Sequence, residues 1–169
     1  MTQDSLFGAR ADAGTDPAPA PDAERTAPEQ LDEVLVFCDG GSRGNPGPSA
    51  IGAVVLDPST DPPRLLAEVS ECIGVTTNNV AEYRALIAGL RAAAPYHARR
   101  IRVRADSKLV IEQVKGTWKV KQPHLRPLLE EARALLADYA VVDLRHVPRA
   151  ENFAADALVN AALDASAPG

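Results

Sequence analysis

Five apolar residues in unbroken succession, Val34 to Cys38, end at Asp39, the pattern of a central strand buried on both faces. Gly40 to Pro48 is rich in glycine and proline and reads as a tight turn. Ala50 to Leu56 and Leu65 to Ile73 form two further strands across a turn carrying Pro58, Pro62 and Pro63, so a meander of three antiparallel strands is expected. The period then changes. Tyr83, Leu86, Ile87 and Leu90 fall at i, i+3, i+4 and i+7, with Pro95 beyond them, which predicts an amphipathic helix. Ile101 to Ala105 alternates apolar residues with arginine before Asp106, a strand with one basic face. A short helix is expected from Ser107 to about Lys115, stopped by Gly116, and a second from about Leu125 to Ala137, with Pro127 tolerated in its first turn. Val141 to Val147 is a fifth strand and Asn152 to about Leu163 a final helix. The order βββαβααβα describes an α/β fold. A right-handed crossover through the first helix would set the fourth strand parallel to the first, and as neighbours the two would finish in Asp39 and Asp106 at one sheet edge.

The N-terminal residues lack any such pattern. Residues 8 to 30 hold Pro17, Pro19, Pro21 and Pro28 and no large apolar side chain, too little apolar surface to offset the entropy of ordering. Residues 1–33 are therefore expected to be a disordered, acidic, Pro/Ala-rich tail, residues 34–164 a globular domain and residues 165–169 a flexible C-terminus. Charge follows the same division. The chain's net −5 resolves into −6 for residues 1–33 and +1 for the remainder, and within the latter Arg99 to Lys121 carries +6. The acidity belongs to the tail, and the body has a basic stripe expected to face phosphate. No apolar run approaches the roughly 18 residues of a membrane span and no signal-peptide pattern opens the chain, so a cytoplasmic protein without membrane contact is expected. Cys38 and Cys72 lie in strand-like runs without metal-ligand spacing and are expected to be buried thiols in a reducing compartment.

Four carboxylates stand out: Asp39, Glu82, Asp106 and Asp156. Each has an ordinary structural explanation. Asp39 before Gly40 and Gly41 suits a turn, Glu82 three residues after Asn79 suits a capping box with Asn79 as N-cap, Asp106 before Ser107 suits an N-cap, and Asp156 suits the positive end of a helix dipole. Together they point elsewhere. Neighbouring strands about 4.8 Å apart bring Asp39 and Asp106 close, and two helix starts add the other acids. Two carboxylates about 5 Å apart repel by roughly 3 kcal/mol at an effective dielectric near 20. Such a cluster calls for a cation, and hard oxygen ligands with open positions suit Mg²⁺ or Mn²⁺.

The motifs holding these acids resemble those of the type I ribonucleases H. Asp39-Gly40-Gly41-Ser42-Arg43-Gly44-Asn45-Pro46-Gly47 is similar to the first, and Thr76-Thr77-Asn78-Asn79-Val80-Ala81-Glu82-Tyr83-Arg84-Ala85 to the second. Ala105-Asp106-Ser107-Lys108 is similar to the third, and Asn152-Phe153-Ala154-Ala155-Asp156-Ala157-Leu158 to the fourth. The resemblance covers about residues 34–164 and implies a ribonuclease H-like fold, a five-stranded mixed sheet flanked by helices. It also implies an endonuclease that cuts the RNA strand of RNA/DNA hybrids with two Mg²⁺ ions, Mn²⁺ serving as a substitute, and that acts in primer and R-loop removal. One ion would activate and aim a water, the other would stabilise the departing 3′ oxygen, and the products would carry 5′-phosphate and 3′-hydroxyl ends. Asp39 would bridge both ions, with Asp106 and Asp156 at one and Glu82 at the other.

Substrate contacts follow from the same resemblance. Glu82 and the backbone of Gly40, Gly41 and Ser42 would read the 2′-hydroxyl, and Asn45, Thr77, Asn78 and Asn79 would make minor-groove and DNA-phosphate contacts. Lys115 to Lys121 sets Trp118 among cations, with Lys119 and Lys121 expected to pair DNA phosphate while Trp118 packs on a sugar or base. Two departures mark the chain. It lacks a long basic handle helix, since about nine residues separate Val114 from His124, and so resembles the compact archaeal and plant-like branch. No histidine occupies the loop Pro148 to Glu151; Arg149 there would attract phosphate for product release without shuttling a proton. His97 and His124 are expected at the surface. Near the start, Gln3-Asp4-Ser5-Leu6-Phe7 resembles the peptide by which bacterial replication proteins dock on the DNA sliding clamp. Gln3, Leu6 and Phe7 would make that contact from a flexible tether, raising the local concentration of a monomeric nuclease at replication forks. Two other readings compete: a DNA nuclease of the same superfamily and a non-catalytic hybrid-binding module. The Thr77-Asn78-Asn79 group disfavours the first, and the complete set of acids the second.

Overall fold

The computed structural model describes residues 30–167. The five strands are β1 (Glu33–Ser42), β2 (Gly47–Asp57), β3 (Arg64–Thr76), β4 (Arg100–Ala105) and β5 (Val141–His146), and the helices are α1 (Asn78–Ala93), α2 (Lys108–Lys115), α3 (Arg126–Leu136) and α4 (Phe153–Ser166). Short 3₁₀ turns at Ala94–Tyr96, Pro123–Leu125 and Arg149–Asn152 punctuate them. The element order and the mixed sheet are those predicted, and the boundaries differ. β1 continues through Ser42, so the tight turn expected from Gly40 shrinks to residues 43–46. β1 begins one residue before Val34, where Leu31 packs on the core and the Leu31 N–H donates to Tyr96 O at 3.3 Å. α4 runs to Ser166, so Ala165 and Ser166 are helical where a flexible end was expected. The clamp-like peptide with Gln3, Leu6 and Phe7 lies outside the described residues.

Spatial order in the sheet is β3-β2-β1-β4-β5, antiparallel from β3 to β1 and parallel from β1 through β4 to β5. β4 is parallel to β1, as the crossover rule predicts, and the two are neighbours, with Cys38 opposite Ala105. Alternation along β2 separates the two layers. Gly52 faces α4, where a Cβ would lie 2.4 Å from Ala155 O, whereas Ala53 faces α1 at Gly89. The main core lies on the α1–α3 side and includes Val34, Val36, Tyr83, Leu86, Leu90, Ile101, Val103 and Ile111, with smaller packing of Ala50 against Val159 and Leu163 under α4. Leu35 and Phe37 are half-buried, so β1 is sealed fully on one face only.

Two expectations are corrected here. Cys38 is buried, but Cys72 is exposed on edge strand β3, its thiol donating to Ala162 O at 3.0 Å. The basic face of β4 is not free to meet phosphate, because Arg102 pairs with Glu33 and Arg104 with Asp143 on the neighbouring strands. His97 and His124 are exposed, as expected. Among the described residues no helix is long and apolar enough to cross a membrane.

Candidate active site

Asp39 lies within β1 and Asp106 immediately beyond the end of β4, so the parallel register that sets Cys38 beside Ala105 carries both acids to the same edge of the sheet. Glu82 arrives from the first turns of α1. Its approach depends on Gly40, where a Cβ would lie 2.2 Å from the Ala81 carbonyl and 2.5 Å from Glu82 N. No side chain fits there, and the Gly40 N–H donates to Glu82 Oε2 at 3.2 Å. The capping box is therefore absent: Thr77, not Asn79, is the N-cap of α1, accepting from Val80 N–H at 3.4 Å. Ser107 likewise caps α2, accepting from Val110 N–H at 3.3 Å, which releases Asp106 from that role. Asp156 enters from the first turn of α4 on the other face of the sheet.

Carboxylate oxygens of Asp39, Glu82 and Asp106 lie within 4.8 Å of one another. Asp156 joins the same cavity of about 340 Å³, where it interacts directly with Asp39. Burial pushes Asp39 up to about 8, helped by the negative charge and hydrogen bonding of Asp106 and Asp156. Glu82 is raised well above the usual carboxylate range by burial and then by Asp39 and Asp106. The same acids, after burial itself, raise the Cys38 thiol beneath them. Asp106 Oδ1 is buried without a hydrogen-bond partner. Mutually repelling acids with an orphaned oxygen form an all-oxygen donor set with open positions, which fits a small hard divalent cation.

Neighbouring residues hold this arrangement. Asn152, fully buried, donates to Cys38 O at 2.9 Å and ties the start of α4 to β1 beside Asp39. His146 Nε2 lies 3.1 Å from Asp106 O. Arg149 Nη2 donates to Asp156 Oδ1 at 3.2 Å, and Asn160 Nδ2 to Asp156 Oδ2 at 3.3 Å. Arg43 lines the cavity's other side and pairs with Asp164 at 2.5 Å. Asn152 and Arg43 lie within the fourth and first motifs, but nothing there assigns either a role, and the partner of Asn152 is 114 residues away in sequence; Asn160 lies outside the motifs and carries no spacing signal.

A second cleft, of about 620 Å³, is lined by Asn79, Trp118, Lys119 and Lys121 together with Gln113 and Gln122. Gly116, at φ 89°, ends α2 and turns the chain so that the N–H groups of Thr117 and Trp118 both donate to Glu112 O. Lys108 Nζ sits 5.8 Å from the centre of the Trp118 ring, a cation–π contact. Tyr83 O–H donates to buried Gln113 Oε1 at 2.6 Å, and Gln113 Nε2 to Lys119 O at 3.4 Å, linking α1 to the basic loop. The predicted substrate residues thus divide. Gly40, Gly41, Ser42 and Asn78 line the acidic cavity, Asn79 and the Trp118 loop line the basic cleft, and α1's first turn is the ridge between them. Asn45 meets neither directly; its Oδ1 accepts from Asn78 N–H at 3.1 Å.

The family model described as Reverse transcriptase-like matches residues 37–162. A ribonuclease HI from Halobacterium salinarum is 45% identical over 137 residues, 81% of this chain and 67% of that protein. The chain belongs to the ribonuclease H family. The bifunctional protein Rv2228c of Mycobacterium tuberculosis is 50% identical over 135 residues, 80% of this chain but only 36% of that protein, so the chain spans about a third of that relative's length. The solved N-terminal RNase H domain of Rv2228c superposes with a TM-score of 0.74, covering 78% of this chain and 99% of that one. LC11-RNase H1, solved in complex with an RNA/DNA hybrid, is 37% identical with a TM-score of 0.72, covering 79% and 98%. The compact form expected from the missing handle agrees with these ribonuclease H relatives.

Proposed function

We propose that the protein is an endonuclease that hydrolyses the RNA strand of RNA/DNA hybrids, leaving 5′-phosphate and 3′-hydroxyl ends. The observation that supports this best is the placement of two unlike cavities on either side of one helix start, an acidic one at Asn78 and a basic, aromatic one at Asn79. Strands of a duplex lying across α1 would part there, RNA toward the acids and DNA toward Trp118. Asp39, Glu82, Asp106 and Asp156 would hold two divalent ions, Mg²⁺ with Mn²⁺ as substitute. Bound ions of this kind supply an activated water and charge stabilisation at the leaving oxygen.

The chain's own residues do the selecting. Glu82, held by the Gly40 amide, and the backbone of Gly40, Gly41 and Ser42 line the acidic cavity and would read a 2′-hydroxyl there, the group that separates RNA from DNA. Thr77 and Asn45 act indirectly, holding the first turn of α1, while Asn78 and Asn79 present amides to the two strands. Trp118 packs on a sugar or base and Lys119 and Lys121 pair with DNA phosphates. Arg149 attracts the cleaved phosphate for release. The hybrid bound by LC11-RNase H1 is the ligand this reading extends to the present chain.

In the cell, a monomer working in the cytoplasm on primers and R-loops is the corresponding role, with Gln3, Leu6 and Phe7 as a tethered sliding-clamp ligand. A peptide of residues 1–12 should bind the clamp and lose binding when Leu6 and Phe7 become alanine. Substrate class is tested with labelled RNA/DNA hybrid, double-stranded RNA and double-stranded DNA of one sequence. Cleavage confined to the RNA strand of the hybrid is expected. Preferential cutting of double-stranded DNA would instead identify a DNA nuclease of the same superfamily, and binding of hybrid without any cutting a non-catalytic module.

A further inference from the structure

The four acids are not equivalent in their surroundings. Asp106 keeps a buried oxygen with no partner, whereas both oxygens of Asp156 are already engaged, Oδ1 by Arg149 at 3.2 Å and Oδ2 by Asn160 at 3.3 Å. Arg149 stands on the 3₁₀ turn that leads into α4, and its side chain is 76% exposed against 27% for Asp156. The guanidinium is thus held from the solvent side, with no other ion pair among the described residues, and can swing away without disturbing the core.

We infer that Arg149 is a resident counter-cation at Asp156 and that Arg149 and Asn160 are positioning residues that order metal loading. This rests on the metal-dependent reading of the acidic cavity. Oxygens of Asp39, Glu82 and Asp106 already lie together and are open to a first divalent cation, a grouping that separates Asp106 from Asp156 where the family resemblance had paired them. Asp156 accepts a second only after Arg149 has left it, and the displaced guanidinium is then free for a phosphate. Asn160, a neutral donor one turn along α4, stays on Oδ2 and keeps the carboxylate oriented while Arg149 exchanges. The cost of displacement is small because the pair is solvent-exposed and an exposed ion pair is weak. Arg149 nevertheless keeps a like charge near the incoming ion, so its removal should tighten the second site by about three- to tenfold.

Mn²⁺ alone, titrated calorimetrically into the full chain, tests this without relying on turnover. Wild type, Arg149→Ala, Arg149→Lys, Asn160→Ala and Asp156→Asn are compared, and Arg149→Ala is repeated on the Asp156→Asn background. The expected result is an unchanged first site and a tighter second site in Arg149→Ala, with Arg149→Lys restoring wild-type behaviour and Asn160→Ala weakening the second site. On the Asp156→Asn background Arg149→Ala should have no effect. Superimposable isotherms for wild type and Arg149→Ala, or equal tightening with Asp156 absent, would overturn the inference while leaving metal binding by the cluster intact. Failure of Mn²⁺ to bind wild type at all would overturn both this inference and the metal reading on which it rests.

Discussion

The acidic cavity and the Trp118 cleft lie on either side of the same helix start, yet they are built on opposite principles. Acids are fixed by strand register, by a glycine through which α1 touches β1, and by caps that leave Asp106 and Glu82 unused locally. Their charges are partly withdrawn from water and resist one another. Cations of the cleft stand on an exposed loop pinned mainly through backbone bonds to Glu112, and Lys119 and Lys121 keep their hydration. The contrast suits what each region is proposed to hold. A small ion needs oxygens at fixed positions, whereas a phosphate backbone is satisfied by mobile positive charge.

The sharpest way to break this contrast is Asp39→Asn. Hybrid cleavage should fall by at least about a hundredfold, as expected when a group that stabilises transition-state charge is lost. Stability should move the other way in EDTA. Folded Asp39 titrates near 8 against an ordinary value of 3.8, so between roughly pH 4 and pH 8 the native state holds a proton that the unfolded chain releases. Metal-free protein should therefore lose stability as pH rises through that window, and Asp39→Asn should flatten the slope of thermal midpoint against pH. A slope unaffected by the substitution would mean that the acids do not strain the fold.

Next in size is Gly40→Ala. Its Cβ would strike the Ala81 backbone at 2.2 Å, whereas at Gly41 the neighbour is only the Val159 side chain at 3.1 Å. Gly40→Ala should cost about 1–3 kcal/mol or more in denaturant unfolding together with most activity, and Gly41→Ala much less of both. In the cleft, Trp118→Ala should raise KM for hybrid by about tenfold with kcat little changed, the loss expected for one stacking contact. The smallest expected effect is that of Arg102→Met. Arg102 is paired with Glu33, so the salt dependence of hybrid binding should keep its slope, while Lys119→Ala with Lys121→Ala should reduce it by about 1.8. Equal effects of the two variants would erase the distinction between ion-paired and solvent-exposed cations.

Much of this organisation is legible in the chain because it follows local rules. The crossover rule set β4 parallel to β1, and once the structure makes the two neighbours, the acids of both strands and of the helix starts share one edge of the sheet. What escaped depends on distant partners. Arg102 and Arg104 read as a basic face because Glu33 and Asp143 sit 69 and 39 residues away, on strands whose register no local signal reveals. Cys72 read as buried because an apolar run does not say that its strand is an edge. Thr77, Asn78 and Asn79 are all competent N-caps in succession, and nothing local shows that Thr77 takes the role while Glu82 is drawn to the Gly40 N–H instead of to a cap.

The most direct test is cleavage of one labelled RNA/DNA hybrid by wild type and Asp106→Asn, each with Mg²⁺, with Mn²⁺ and with EDTA. Cutting of the RNA strand by wild type with a divalent ion, and its loss both in EDTA and in Asp106→Asn, is the expected result. Cleavage that persists in EDTA, or that survives the substitution, would contradict a carboxylate-held metal centre.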